Sequence, residues 1–199
     1  MGVVSPYSIN VNGRLLTMER PLVMGVVNVT PDSFFADSRA DGEQLLLRRC
    51  ATMIEEGVDI IDVGGCSTRP SGEFISPEEE LRRVSSAFEL LKRHFPDAVF
   101  SVDTFRAEVI RRVYEKYGEI IVNDITGGLG DTAMLRTVAE FKLPYIAMHM
   151  RGTPQTMQQQ THYNDVVADV MAELQECLTA IDKAGIERKR VVLDPGFGF

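Results

Sequence analysis

LVMGVVNVTPD, residues 22–32, is an apolar run that stops at Asn28 and then turns through Thr30-Pro31-Asp32. A near-continuous apolar run of this length reads as a strand over 22–27, covered on both faces as in a parallel sheet. The turn after this strand separates two architectures. An open doubly wound sheet carries a Gly-rich phosphate turn after its first strand, and 28–32 contains no glycine. Working outward, similar runs recur at 59–63, 98–102, 120–122, 145–148 and 191–193. Helical patterns fall between them at about 41–57, 77–94, 105–117, 131–141 and 163–184. Ser76-Pro77-Glu78-Glu79 reads as an N-cap followed by proline and first-turn acids. Gly57, Gly118 and Gly185 fall where helices should stop. Upstream, Asn12-Gly13 between alternating apolar residues is a hairpin signal, since a type I′ turn needs positive φ at both central positions. The expected fold is therefore an α/β (β/α)₈-type barrel covering six strands and five helices, with an N-terminal β-hairpin over 1–20 capping a barrel over 21–199.

Composition narrows the function. With 199 residues the chain is one domain in size, and 29 acidic against 21 basic residues leave a net charge of −8. That balance argues against nucleic acid, whose phosphates need clustered Lys and Arg. Apolar runs such as Ile120-Ile121-Val122 fall far short of the roughly 18 residues a membrane span requires. No basic start followed by an apolar core opens the chain. Cys50, Cys66 and Cys177 are scattered and odd in number, which fits a reducing cytoplasm better than a disulfide framework.

Nearly every strand ends in something polar: Asn28, Asp62 with the loop after it, Asp103, Asn123-Asp124, His149 and Asp194. One polar residue after a strand ordinarily caps the next helix. In a parallel barrel, however, all such ends meet on one face, where these enzymes build their sites. Asp103, Asp194 and Asn123 bring acceptors together with no Lys or Arg immediately beside them in sequence. Buried carboxylates need donors, so a ligand rich in N–H groups, such as a heterocycle with an amino-pyrimidinone edge, is the expected partner. The oxygens of the 28–32 turn suit Mg²⁺, which takes few protein ligands and completes its shell with phosphate. Ser67-Thr68-Arg69-Pro70 offers hydroxyls and a guanidinium for an anion, against the plain reading of a solvated arginine.

Six stretches, in order, resemble the signatures of dihydropteroate synthases: GVVNVTPDSF at 25–34, DIIDVGGCSTRP at 59–70, SVDT at 101–104, IVND at 121–124, MHMRGTPQTMQ at 148–158 and LDPGFGF at 193–199. The resemblance implies a barrel that condenses 4-aminobenzoate with (7,8-dihydropterin-6-yl)methyl diphosphate, releases pyrophosphate in folate biosynthesis, and is a sulfonamide target. It implies that Asn28 binds Mg²⁺ and that Asp103, Asn123 and Asp194 hold the pterin, with Met148 packing on the ring. Thr68 and Arg69 belong by the same resemblance to a mobile loop, and Phe34, Pro70 and Phe199 to the aminobenzoate pocket. Asp103, Asp194 and Arg69 are the expected catalytic residues; no nucleophilic side chain is needed, because the substrate amine attacks and diphosphate leaves. A cytoplasmic homodimer of the full-length enzyme is also implied.

Three departures accompany the resemblance. Phe35-Ala36-Asp37-Ser38-Arg39 replaces an Asp-Gly-Gly type continuation, and Cys66 occupies a variable position that reads as a small loop residue. The family's last two strands, with their Lys and Arg–His contacts, are not in this sequence, so the chain is expected to be the N-terminal portion of a longer enzyme. Other readings are a non-catalytic pterin-binding fragment and a pterin-dependent methyltransferase, the latter expected to lack the 28–34 and 67–70 signatures. His94 and His162 read as surface groups at helix edges, and His149 as lining of the mouth. The 157–160 stretch reads as a polar loop, and Arg188-Lys189-Arg190 as solvated charge.

Overall fold

The computed structural model describes residues 7–11, 13–30, 39–66 and 75–197. Strands β1 (Ser8–Val11) and β2 (Arg14–Thr17) form the hairpin, in register from Ser8↔Thr17 to Val11↔Arg14. Gly13 supplies the positive φ, 75°, that the turn requires. Then come β3 (Met24–Asn28), α1 (Arg39–Glu55), β4 (Ile60–Gly64), α2 (Pro77–His94), β5 (Val99–Asp103), α3 (Ala107–Tyr117) and β6 (Ile121–Asp124). After these come α4 (Met134–Phe141), β7 (Tyr145–Met148), α5 (Val166–Lys183) and β8 (Val191–Asp194).

The six inner strands are parallel, and their spatial order is their chain order, β3 through β8. A doubly wound sheet would reverse direction from its first strand, whereas a barrel adds each strand beside the last. The structure is thus a partial barrel. Its strands run further than the apolar runs suggested: β3, β4, β5 and β8 each end one residue later than expected and β6 two, so Asn28, Asp103, Asn123 and Asp194 are ladder residues rather than loop residues.

Side chains alternate between two cores. Val27, Val63, Val102, Val122 and Ala147 face outward and pack on Leu46, Val84, Phe88, Ile110 and Val138 of the helices. Facing inward, Ile60, Val99 and Ile121 pack on Ile9, Val11 and Leu16 of the hairpin. The hairpin therefore plugs the N-terminal end of the sheet and leaves the C-terminal end for chemistry.

Helix boundaries obey local chemistry. Ser76 Oγ accepts from the Glu79 amide at 3.2 Å, ahead of Pro77. Three helices begin two or three residues later than expected, because polar side chains take up the first free amides. Thr104 Oγ1 accepts from the Arg106 amide, and the Asp131 carboxylate from those of Ala107 and Ala133. Asp165 caps α5 through the Val167 and Ala168 amides. His162 consequently lies exposed in the loop before α5 rather than at a helix edge. Among the described residues no helix is long and apolar enough to cross a membrane.

Candidate active site

Strand register places the site. Asn28 pairs with Gly64, Gly64 with Asp103, and Asp103 with Asn123. Asn123 pairs with Ile146, two residues before Met148, and Met148 pairs with Asp194. Paired residues share a face of the sheet, as do residues two apart. Asn28, Asp103, Asn123, Met148 and Asp194 therefore all face inward at the C-terminal ends of their strands.

Gly64 shows how tightly they converge. A Cβ there would lie 2.9 Å from Asn28 Oδ1 and 3.2 Å from Asp103 Oδ2, so both side chains lean over a position that only glycine leaves open. Beneath it on the same face lies buried Asp62, which accepts from Ser101 Oγ at 2.5 Å and from Asn123 Nδ2 at 3.1 Å. The local field is negative. Burial pushes the Asp103 carboxyl well above the ordinary aspartate range, and the charges of Asp62, Glu80 and Asp124 push it further. Asp62 is also raised by burial, against the hydrogen bonds from Ser101 and Asn123 that favour its ionised form. No Lys or Arg projects from the inner face of β3–β8 to neutralise these groups.

On the far side, Asp194 Oδ1 accepts from the Gly196 amide at 2.8 Å. Met148 is buried with Ile125 and Met157, and Phe105 and Met150 pack beside them. This wall corrects one expectation. Met157 is not part of a polar loop but an apolar anchor in a single 3₁₀ turn, Met157–Gln159, whose glutamines are exposed. Nothing short-range marks Met157, because its partners are Met148 and Ile125 across the mouth.

Two of the polar strand ends do not join the site. Asp124 faces the helices, accepting from Thr126, Gly128 and the Tyr145 hydroxyl, and so it shapes the loop after β6. His149 also faces outward, with Nε2 2.8 Å from Glu173 Oε2 of α5, so Met148 rather than His149 represents β7 inside the barrel. Beside the cup, Glu80 and Arg106 form a buried ion pair, and Arg106 donates to the Ile75 carbonyl at 2.7 Å. Arg83 donates to the Gly65 carbonyl at 3.4 Å. These two bonds fix the carbonyls of Gly65 and Ile75. Cys66 is buried, and that burial raises its thiol pKa, in keeping with a small packed residue. Phe34, Thr68, Arg69, Pro70 and Phe199 lie outside the described residues.

The oxygens of Asn28 and Asp103 beside Gly64 are the hard donors that Mg²⁺ prefers. Among the described residues no group of three or more His, Cys, Asp or Glu could hold a metal ion. Mg²⁺ ordinarily takes few protein ligands and completes its shell with water or phosphate oxygens.

Comparison with known proteins bears directly on this geometry. Residues 24–199 match the family model described as "Pterin binding enzyme". The dihydropteroate synthase of Escherichia coli K12 is 42% identical over 187 residues, covering 94% of this chain and 65% of the relative. The folic acid synthesis protein fol1 of Schizosaccharomyces pombe is 41% identical over 179 residues, covering 89% of this chain but 24% of that protein. A structure of Xanthomonas albilineans dihydropteroate synthase with 4-aminobenzoic acid superposes with a TM-score of 0.84 at 38% identity, covering 98% of this chain and 68% of that one. This chain thus spans between a quarter and two thirds of the curated relatives' length. The family match begins at the first inner strand, takes in every residue of the acidic cup and ends at Phe199; the chain belongs to the pterin-binding enzyme family.

Proposed function

We propose that this chain provides the pterin cup and the diphosphate-binding strand end of a dihydropteroate synthase, which joins 4-aminobenzoate to (7,8-dihydropterin-6-yl)methyl diphosphate and releases pyrophosphate. One observation carries the reading: the continuous inner row Asn28–Gly64–Asp103–Asn123, with Asp194 opposite and no Lys or Arg on the same face of these strands. Such a cup is short of hydrogen-bond donors, and an aminopterin edge supplies them.

The residues divide the work. Asp103, Asn123 and Asp194 accept ring N–H groups and fix the ring plane. Met148, Ile125 and Met157 wall the mouth with apolar surface and exclude water. As the C–O bond to diphosphate breaks, the pterin methylene becomes cation-like, and the carboxylates beneath it favour that charge. Asn28 would hold Mg²⁺, which supplies neutralisation of the departing diphosphate. Arg69 and Thr68 are assigned to the same anion, and Phe34, Pro70 and Phe199 to the aminobenzoate pocket, on their motif positions. The free thiols of Cys50, Cys66 and Cys177 support a reducing, cytoplasmic setting, and a homodimer of the complete enzyme belongs to the same proposal.

Calorimetry tests this. With Mg²⁺ present, 4-aminobenzoate should bind markedly better once pyrophosphate is added. Pterin uptake with no such dependence would favour a plain pterin-binding module.

A further inference from the structure

Asp62 has no part in the chemistry above, yet it is buried at 2% exposure directly under the cup. Its two oxygens are committed to different strands: Oδ1 accepts from Ser101 Oγ of β5, and Oδ2 accepts from Asn123 Nδ2 of β6. The second bond has a consequence for Asn123. A carboxamide can present either its oxygen or its NH₂ to a neighbour, but Asp62, both of whose oxygens accept here, needs a donor opposite it. Turned around, Asn123 would set Oδ1 against buried Asp62 Oδ2, two acceptors with no hydrogen between them. Asp62 therefore holds one N–H of Asn123 down and leaves Oδ1 facing the ligand between Asp103 and Asp194.

We propose that Asp62 is a positioning residue that sets ligand specificity: by fixing the Asn123 carboxamide, it makes the cup read a heterocycle edge bearing an amino donor and reject the same ring bearing an oxo acceptor. This rests on the pterin-cup reading above. The discriminating pair is pterin, the 2-amino-4-oxopteridine, against lumazine, the 2,4-dioxopteridine. Replacing Asp62 by asparagine supplies an N–H that can meet Asn123 Oδ1, so the carboxamide is free to turn.

The experiment is a calorimetric titration of both pteridines into the wild-type chain, Asp62→Asn and Ser101→Ala. The wild type should favour pterin by at least about tenfold, the scale set by leaving a buried acceptor without its donor. Asp62→Asn should bring the ratio to within about threefold, since the flipped amide accommodates the oxo group. Ser101→Ala disturbs the same buried pocket but keeps the carboxylate against Asn123, so its ratio should stay near wild type. The ratio is the readout because general loosening weakens both ligands together. Should Asp62→Asn fail to fold, Asp62→Ser, whose hydroxyl both donates and accepts, carries the same expectation. A folded Asp62 variant with the wild-type ratio overturns the inference and leaves the cup standing, as does a wild type that binds both pteridines equally. A wild type that binds neither overturns the cup, and this inference with it.

Discussion

A missing side chain lets Asn28 and Asp103 occupy the same end of the sheet. Gly64→Ala would place a methyl 2.9 Å from Asn28 Oδ1 and 3.2 Å from Asp103 Oδ2. Overpacking of this kind costs about 1–3 kcal/mol, and both groups must move, so affinity for the pterin diphosphate should fall by roughly tenfold or more while the fold persists. Isothermal titration beside thermal denaturation separates the two effects. Asp103 makes the opposite trade. Burial and like charge raise its folded-state pKa, so ionising it opposes folding. The penalty is absent below the ordinary aspartate pKa and grows as pH rises through the folded one. Asp103→Asn should accordingly unfold at higher temperature than wild type near pH 8, lose that advantage near pH 3, and bind pterin poorly throughout. Melting curves across pH check the sign. At this scale the sequence showed the terminal residues well, because each closes an apolar run. It could not show Asp62 as a partner of Asn123, since 61 positions separate them and only the stagger of three strands brings them together.

Elements stand or fall on caps and on one buried ring layer. Ser76→Ala removes the acceptor for the Glu79 amide and should cost about 1 kcal/mol. Phe88 of α2 is fully buried, with its ring centroid 5.6 Å from that of Phe100 and 5.7 Å from that of Tyr117. Phe88→Ala should therefore cost about 3–5 kcal/mol, read as a shift in the urea midpoint. Lys142 ends α4 in the left-handed region at φ 53°, where a side chain is strained. Lys142→Gly relieves that strain and should raise stability by up to about 1 kcal/mol, after the greater chain entropy of glycine in the unfolded state is subtracted. The α2 boundaries were readable from Ser76 and Pro77, which act on their own neighbours. The starts of α3 and α4 were not, because Asp131 caps groups of both helices, and its bond to Ala107 spans 24 positions.

The whole molecule is organised by strand order. Six parallel strands laid side by side in chain order put one polar end opposite one plugged end. A cavity of about 480 Å³ lies at the plugged end, lined by Arg14, Leu16, Asp59, His94 and Asp97 among others, far from the acceptor row in the strand direction. It is a cleft beside the hairpin and contributes nothing to the cup. β3 and β8 do not pair with each other among the described residues, and inward Val26 and outward Leu193 are 45% and 36% exposed. A cup open along one side admits water, so the 199-residue chain alone should form little or no dihydropteroate in a coupled turnover assay. Full turnover would contradict the need for closure. The alternation of runs and helical patterns announced a barrel, but which side chains face inward emerged only once the register was known.

The most direct measurement is a crystal structure of the chain with a dihydropterin bound. The ring should lie at the C-terminal ends of the strands, its N–H groups within hydrogen-bonding distance of Asp103, Asn123 and Asp194. A ring seated in the cleft by Arg14 and His94, or bound without contact to that trio, would contradict the assignment of the acceptor row as the pterin cup.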